Sequence, residues 1–242
     1  SDAFENATST TPTPLSSSTN DNNINGQVDV DKKQPPFPVV LWRFTRPHTI
    51  IGSALAIPAL HMLAAPSLPA AFSKPALAAM GYALLPALLM NLYITGLNQI
   101  TDVEIDKVNK PNLPMAAGLL SQKRAIVIVV ASLLASLGLG AARPTEGLNA
   151  ALWLSGILGT VYSLKPFRFK RFPILAAFCI VSVRGFVINA SFFAHSVAAA
   201  YGGLDVATAS TGSVILDCLR NSRACFLSSL FFGVFGLVIA LM

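Results

Sequence analysis

Three acidic residues lie within five positions where a long apolar run of the chain ends. In the segment N-Q-I-T-D-V-E-I-D-K-V-N-K (98–110), Asn98, Asp102 and Asp106 follow one another at intervals of four residues. On an α-helix this spacing places the three side chains along one stripe. Oxygen ligands of this kind suit Mg²⁺, which proteins often hold through one or two carboxylates together with substrate phosphates. The spacing therefore predicts a Mg²⁺ site with Asn98, Asp102 and Asp106 as ligands, and Asp102 and Asp106 as its catalytic carboxylates.

The alternative is a helix end that emerges into water with its acids simply solvated. Only six acids follow residue 31, and half of them lie in this segment. Negative charge is also disfavoured at the C-terminal end of a helix. Three acids at that position therefore require a compensating reason, which favours the metal site.

A second candidate segment, Y-S-L-K-P-F-R-F-K-R (162–171), carries four cations within seven positions. Cations close to a metal-bound diphosphate would neutralise its charge and stabilise the departing pyrophosphate. We predict that Lys165, Arg168 and Lys170 bind the substrate in this way. The alternative is that these side chains only anchor the loop at a membrane surface.

Arg184 has apolar neighbours on both sides, in the middle of the run from Phe172 to His195. An arginine inside a membrane is costly and by default implies a functional partner. We therefore predict that Arg184 is a catalytic residue in a polar cavity. Asn189 could line the same cavity, and Arg46 could face its mouth, although Arg46 could equally be an interfacial anchor.

These residues belong to a strongly apolar chain of 242 residues, of which 53% are hydrophobic and 12% charged. Soluble domains usually carry about twice that charged fraction. Apolar runs of about 20 residues recur, which is the length of a membrane-spanning helix. We predict an all-α, polytopic membrane bundle of about six helices, near 47–65, 77–101, 124–142, 148–164, 172–195 and 224–242.

The cations between these segments predict how the bundle is oriented. The net charge is +6, and nucleic acid explains it poorly because the cations lie beside apolar runs. Ten fall on the side of the N-terminus and four on the other, as the positive-inside rule requires. The first group places the loops 102–123 and 164–171 on one face. The ten are Arg43, Arg46, Lys107, Lys110, Lys123, Arg124, Lys165, Arg168, Lys170 and Arg171; the four are Lys74, Arg143, Arg220 and Arg223.

The first 36 residues differ from the rest of the chain. They are rich in Ser, Thr, Asn and Pro and lack apolar periodicity, so we expect a disordered polar tail before a membrane domain at 37–242. The chain has no initiator Met, and we expect that a targeting segment was removed. The scattered acids of the tail argue that it is not itself a transit peptide.

Several motifs together resemble the UbiA-type intramembrane prenyltransferases. The segment N-Q-I-T-D-V-E-I-D-K-V-N-K-P-N-L-P-M-A-A-G is similar to the first Asp-rich motif of their homogentisate branch. R-P-H-T at 46–49 and Y-S-L-K-P-F-R-F-K-R-F-P at 162–173 fit the same branch. V-R-G-F-V-I-N at 183–189 is closer to the solanesyl-transferring members than to the phytyl-transferring ones.

The resemblance implies a nine-helix fold in a plastid membrane and a Mg²⁺-dependent transferase. It would alkylate homogentisate with an allylic polyprenyl diphosphate, with loss of CO₂, in plastoquinone or tocopherol synthesis. A solanesyl donor is favoured, and phytyl or geranylgeranyl transfer is the alternative. By the same resemblance Asn98, Asp102 and Asp106 would hold the Mg²⁺–diphosphate, Lys165, Arg168 and Lys170 would lie near it, and Arg46 and Asn189 would contact the aromatic acceptor.

One departure from the family pattern has consequences for activity. The second Asp-rich motif, close to K-D-x-P-D-x-x-G-D, is not found between helix six and Met242. We therefore expect a C-terminally truncated member, and expect residues 1–242 alone to be inactive. Two other classes stay open, a non-catalytic membrane subunit and a small transporter that uses Arg184 and the acids as an ion path.

Overall fold

The computed structural model describes residues 34–202 and 213–241, and every regular element in these two stretches is a helix. The all-α prediction is thus confirmed for the described residues, whereas residues 1–33 of the predicted tail lie outside them. The helices are α1 (Phe37–Phe44), α2 (Pro47–Leu63), α3 (Leu68–Ala71), α4 (Lys74–Thr101), α5 (Val103–Asn109), α6 (Gln122–Ala142), α7 (Glu146–Ser163), a 3-10 turn (Phe169–Arg171), α8 (Pro173–Val181), a π-helical segment (Ser182–Val187), α9 (Ile188–Ala200), α10 (Val214–Asn221) and α11 (Arg223–Leu241).

Each of the six predicted segments coincides with a helix. By length and composition, three described helices can cross a membrane: Lys74–Thr101, Gln122–Ala142 and Pro173–Ala200. The number rises to four if α10 and α11, which meet at a bend of 92°, form one span. Because α2 has only 17 residues and α7 carries polar residues in its first turns, the number of six spans stays a prediction. The molecule is nevertheless a polytopic helical bundle of the membrane type.

The ends of the long helices follow from local sequence. Ser73, Ser121 and Thr145 precede α4, α6 and α7, and their side-chain oxygens accept hydrogen bonds from backbone N–H groups of the first turn. Such caps satisfy donors that have no partner inside the helix. Pro47 and Pro173 begin α2 and α8, positions where the missing N–H of proline costs no hydrogen bond.

Helix α4 lies at the centre of the bundle and packs against α2, α6, α7 and α9. The main core around it includes Phe44 and Leu148, both fully buried. Large apolar side chains on the outer faces stay exposed, among them Leu55, Leu134 and Phe231. Lipid solvates such side chains, so an apolar exterior is expected of helices that span a bilayer.

Helices α7 and α9 cross at very close range beside Gly147. A Cβ atom added at Gly147 would lie 2.2 Å from the carbonyl oxygen of Ser191 and 2.6 Å from the backbone nitrogen of His195. The ring of His195 joins three elements there, with Nδ1 2.7 Å from Oγ1 of Thr145 and Nε2 3.1 Å from the carbonyl oxygen of Ala79. Since a carbonyl only accepts, Nε2 carries the proton and Nδ1 accepts from the threonine hydroxyl.

Candidate active site

Asp102 is the junction between two helices. Helix α4 ends at Thr101 and α5 begins at Val103, and the backbone of Asp102 departs from helical geometry, with φ −115° and ψ 14°. Its amide still donates to the carbonyl of Asn98, at 3.1 Å, and its carbonyl accepts from the amide of Asp106, at 2.8 Å. The helix is therefore interrupted at Asp102 alone, while hydrogen bonds of the helical i, i+4 type continue on both sides of it. The common stripe of Asn98, Asp102 and Asp106 stays a prediction.

The cationic loop folds back onto the end of α4. Nζ of Lys170 donates hydrogen bonds to Oδ1 of Asn98 (2.9 Å), Oγ1 of Thr101 (3.0 Å) and Oδ2 of Asp102 (2.7 Å). Nη2 of Arg168 lies 3.1 Å from the other carboxylate oxygen, Oδ1 of Asp102. The predicted placement of the two loops on one face is thus confirmed. We call these five residues the charged cluster.

The charged cluster is largely shielded from solvent. The side chains of Asp102, Lys170 and Arg168 are 14%, 12% and 20% exposed. Burial lowers the pKa of Lys170 below the ordinary lysine value, an effect that its hydrogen bond to Asp102 opposes. Nε of Arg168 is buried without a hydrogen-bond partner among the described residues. Ion pairs in such surroundings are screened less by salt than surface pairs. Two cations, Arg168 and Lys170, share the single carboxylate of Asp102, so the three side chains carry a net positive charge.

The loop conformation that delivers these cations is unusual. Arg168 lies in the left-handed region, with φ 40° and ψ 57°, which is uncommon for residues other than glycine. It directly precedes the 3-10 turn that carries Lys170. Residues held in such conformations cluster at functional sites, where the surrounding structure fixes them.

Two predicted members of the site are not brought into the cluster. Asp106 is buried, with 8% of its surface exposed, but its side chain makes no hydrogen bond or ion pair with any residue that the structure describes. Its charge still acts on Lys170. Lys165 is exposed and makes no such contact within the described ranges. The predicted roles of Asp106 as a metal ligand and of Lys165 as a substrate contact therefore stay predictions.

A partly open cavity of about 480 Å³ lies between α2, α4, α7, the π-helical segment, α9 and α11. Arg184 and Asn189 line it, whereas Arg46 is not among its lining residues. Arg46 instead precedes α2 in a left-handed conformation, with φ 54°. The neighbouring His48 and Thr49 line the cavity, and the contact of Arg46 with the acceptor stays a prediction.

The cavity and the charged cluster share one face of α4. Ala87, Asn91 and Thr95 line the cavity, and Asn98 follows one turn after Thr95. Residues three or four positions apart lie on the same side of a helix. Three residues correspond to about 4.5 Å along the axis, so the charged cluster lies at the end of the cavity.

Sequence reasoning did not identify Asn91 and Thr101 as members of this region. The side chain of Asn91 donates to the carbonyl of Thr49, at 3.0 Å, and to Oγ of Ser53, at 2.8 Å, which joins α4 to α2 at the cavity wall. Asn91 precedes Asn98 by seven residues, or two helical turns. Extending the predicted stripe backward by seven residues would have found it.

The π-helical segment positions Arg184. Nδ2 of Asn189 donates to the carbonyls of Arg184 and Gly185, the latter at 2.9 Å. These bonds use the amide of Asn189 to satisfy backbone carbonyls where the α-helical pattern is interrupted. Asn189 is buried and lines the cavity, but its amide nitrogen is committed to the backbone.

The oxygen atoms around Lys170 suit a divalent cation. Asn98, Thr101 and Asp102 each direct one oxygen to the ammonium group, within 3.0 Å. Amide, hydroxyl and carboxylate oxygens are the ligands that Mg²⁺ and Ca²⁺ accept. These three oxygens fit a divalent cation. In the described part of the chain, no group of three or more His, Cys, Asp or Glu side chains is placed so that it could hold a metal ion.

Fold and site together define an intramembrane helical bundle that combines a charged cluster with an internal cavity. The model of the UbiA prenyltransferase family matches residues 54–242. The chain belongs to the UbiA prenyltransferase family. No solved structure shows a significant match.

Curated relatives give a closer comparison. The chain is 46% identical over 156 residues to "Probable homogentisate phytyltransferase 1, chloroplastic" of Oryza sativa subsp. japonica, covering 64% of this chain and 38% of the relative. It is 46% identical over 157 residues to the homogentisate phytyltransferase of Synechocystis sp., covering 63% and 49%. Identity to "Homogentisate solanesyltransferase, chloroplastic" of Arabidopsis thaliana is 37% over 170 residues, covering 66% and 42%. The chain spans less than half the length of these relatives.

Proposed function

We propose that the protein transfers a prenyl group from an allylic diphosphate to homogentisate. The observation that supports this most directly is the charged cluster at the end of an apolar cavity. A prenyl diphosphate has the complementary form, with an anionic head and a long apolar tail. The head would lie at Arg168 and Lys170, and the tail would follow the face of α4 along Asn91 and Ala87.

The donor is a phytyl or geranylgeranyl diphosphate. The sequence motif at 183–189 favoured a solanesyl donor, but the phytyl-transferring relatives are more similar to this chain, at 46% identity against 37%. A relative of Hordeum vulgare named homogentisate geranylgeranyltransferase is 41% identical over 169 residues. The identity over the whole aligned region therefore counts for more than the motif at 183–189. We expect products of the tocopherol type.

The cofactor is Mg²⁺, for which Asn98, Thr101 and Asp102 supply oxygen ligands and Asp106 supplies nearby negative charge. When bound, the ion neutralises diphosphate charge and so makes the diphosphate a better leaving group. Lys170 would then release these oxygens and pair with the diphosphate. Because Lys170 and Arg168 already lie beside the ligands, the cluster needs only an exchange of partners rather than a new assembly.

The residues of the chain would act mainly by electrostatics and by exclusion of water. The allylic C–O bond breaks, and Arg168 and Lys170 stabilise the departing diphosphate. A ring carbon of the acceptor attacks the allylic cation and loses its proton, and the side-chain carboxylate leaves as CO₂ while a proton replaces it. The apolar wall of the cavity keeps water from the allylic cation, which would otherwise be hydrolysed.

The protein would act in a plastid membrane, since several of the eukaryotic relatives carry the word chloroplastic in their names. Its partners would be the prenyl diphosphate, homogentisate and the bilayer itself.

The test is a donor competition with the whole protein in lipid nanodiscs. Phytyl, geranylgeranyl and solanesyl diphosphates would be mixed in equal amounts with homogentisate and Mg²⁺, and the products identified by mass. We expect C20 products to predominate, each lacking the mass of CO₂. A majority of solanesyl product would restore the donor that the sequence motif favoured, and absence of any prenylated product would refute the proposed function.

A further inference from the structure

Arg184 lies within an apolar span and has no acidic partner among the residues that the structure describes. It lies near the middle of the span Pro173–Ala200 and lines the cavity. Its guanidinium makes no hydrogen bond or ion pair with any residue that the structure describes. The side chain of Arg184 is exposed in the structure and therefore accessible. Arginines within membrane spans almost always pair with an acid, a carbonyl or a ligand.

The cavity itself provides no acid to pair with it. Among the described residues that line the cavity there is no Asp or Glu, and His48 is the one other ionisable side chain. The remaining wall is polar but neutral, as at Asn91 and Ser155, or apolar. The charge of Arg184 is therefore available to an anion that enters the cavity.

The backbone holds Arg184 in place. Asn189 binds the carbonyls of Arg184 and Gly185, and Gly185 packs directly on α11, where an added Cβ would lie 2.6 Å from Cα of Gly233. On the same helix, Gly236 lies close to Arg184, since a Cβ added there would be 3.8 Å from Cβ of Arg184. The π-helical segment is thus fixed on both sides, which limits the positions that the guanidinium can take.

The structure therefore contains two separate cationic centres. Arg168 and Lys170 form the first, at the end of α4, and both are already paired with Asp102. Arg184 forms the second, on a different element and inside the cavity. One diphosphate accounts for the first centre, so the second centre calls for a different anion.

We propose that Arg184 binds the carboxylate of the aromatic acceptor and thereby selects acidic acceptors over neutral ones. The inference rests on the proposed function and adds the group that recognises the second substrate. A guanidinium can bind a carboxylate through two parallel hydrogen bonds, a geometry that also orients the ligand. Phe192, Phe232 and Phe235 line the same cavity and would pack against the acceptor ring in offset or edge-to-face contacts.

The test compares homogentisate with its methyl ester, which keeps the ring and loses the charge. Whole wild-type protein in nanodiscs would be assayed with each acceptor under a saturating prenyl diphosphate. We expect wild type to prefer the acid by about 10- to 100-fold in kcat/KM, because the ester cannot form the charge-assisted hydrogen bonds with the guanidinium. No preference for the acid, in a protein that does prenylate homogentisate, would overturn the assignment without touching the proposed function.

Two variants test whether Arg184 causes the preference for the acid over the ester. Arg184→Gln should raise the KM for homogentisate by about 100-fold and abolish the preference for acid over ester, since the charge pair is lost. Arg184→Lys should keep part of the preference. In both variants the KM for the prenyl diphosphate should change less than about 3-fold, as expected for a residue outside the donor site.

The opposite pattern would refute the inference. If Arg184→Gln raised the KM for the diphosphate and left the ratio of acid to ester unchanged, Arg184 would belong to the donor site. Absence of prenylated product from wild type with either acceptor would overturn the proposed function together with this inference. The wild-type comparison of acid and ester needs no variant, so a missing preference for the acid would overturn the inference even if Arg184→Gln fails to fold. Because the ester also cannot lose CO₂, a preference in wild type supports Arg184 only if Arg184→Lys, which keeps a cation, retains part of it.

Discussion

Nζ of Lys170 lies 2.7 Å from Oδ2 of Asp102, although 68 positions separate the two residues in the chain. The same ammonium contacts Asn98 and Thr101. One lysine therefore occupies the place where three oxygen ligands converge. Under the proposed function, an incoming cation would take the oxygens of this internal pair and a diphosphate would take the lysine.

This relationship predicts the effect of removing the lysine charge. Lys170→Met should lower kcat/KM for the prenyl diphosphate by about 100-fold, because a preorganised charge at the leaving group is lost. Steady-state kinetics of the whole protein measure this. Lys123 is the matched control, since it is exposed at the start of α6 and has no part in the cluster. Equal effects of Lys170→Met and Lys123→Met would contradict the assignment.

Asn98 should control the affinity for the divalent cation. Asn98→Leu removes one of the three oxygens, and the apparent affinity for Mg²⁺ should fall by about 10–100-fold, as for other ligand-shell changes. A Mg²⁺ titration of prenyl transfer measures it. Glu104→Gln is the control, because Glu104 is 82% exposed and pairs only with Lys107 among the described residues. An unchanged titration curve for Asn98→Leu would exclude Asn98 as a ligand.

The contact between Gly185 and Gly233 should be sensitive to a single methyl group. Gly185→Ala should lower the free energy of unfolding by about 1–3 kcal/mol, the usual cost of overpacking. Gly138→Ala is the control, since Gly138 lies in an exposed part of α6 with nothing within 4 Å of an added Cβ. That control should gain up to about 1 kcal/mol, because alanine favours the helix over glycine. Thermal unfolding in detergent measures both, and equal Tm values would refute the tight contact.

His195 should be a structural residue rather than a catalytic one. His195→Phe leaves the hydroxyl of Thr145 and the carbonyl of Ala79 without their partner, which should cost about 1–3 kcal/mol of stability. Activity per folded molecule should change less than about 3-fold. Tm and kcat/KM of the same preparation separate the two effects. A loss of kcat without loss of stability would contradict this role.

The sequence predicted the parts of the site that depend on helix spacing and charge. It placed Asn98 and Asp102 on one stripe and, from the loop cations alone, located Arg168 and Lys170 on the same face. Both expectations depend on regularities that hold for any membrane helix, namely the period of 3.6 residues and the asymmetry of loop charge. The apolar runs of about 20 residues likewise predicted helices that span a membrane.

Other features depend on packing that no local pattern carries. The segment V-E-I-D after Asp102 is suited to a helix, so nothing in it indicates a break at Asp102. The π-helical segment at 182–187 contains Gly185 and two valines, which weaken a helix but do not specify a π-helix. It packs through Gly185 against Gly233, 48 positions further on. Arg46 precedes a helix as expected, but its left-handed backbone lies outside what residue type alone predicts.

The most direct test of the central claim compares Asp102→Asn with Glu104→Gln in the whole protein. Prenyl transfer from phytyl diphosphate to homogentisate would be measured in nanodiscs with Mg²⁺, and folding would be checked by Tm. Asp102→Asn should lose at least about 100-fold in kcat through loss of a preorganised charge, and Glu104→Gln should stay within about 3-fold, as for an exposed ion pair. Full activity of a folded Asp102→Asn protein would contradict the assignment of the charged cluster as the active site.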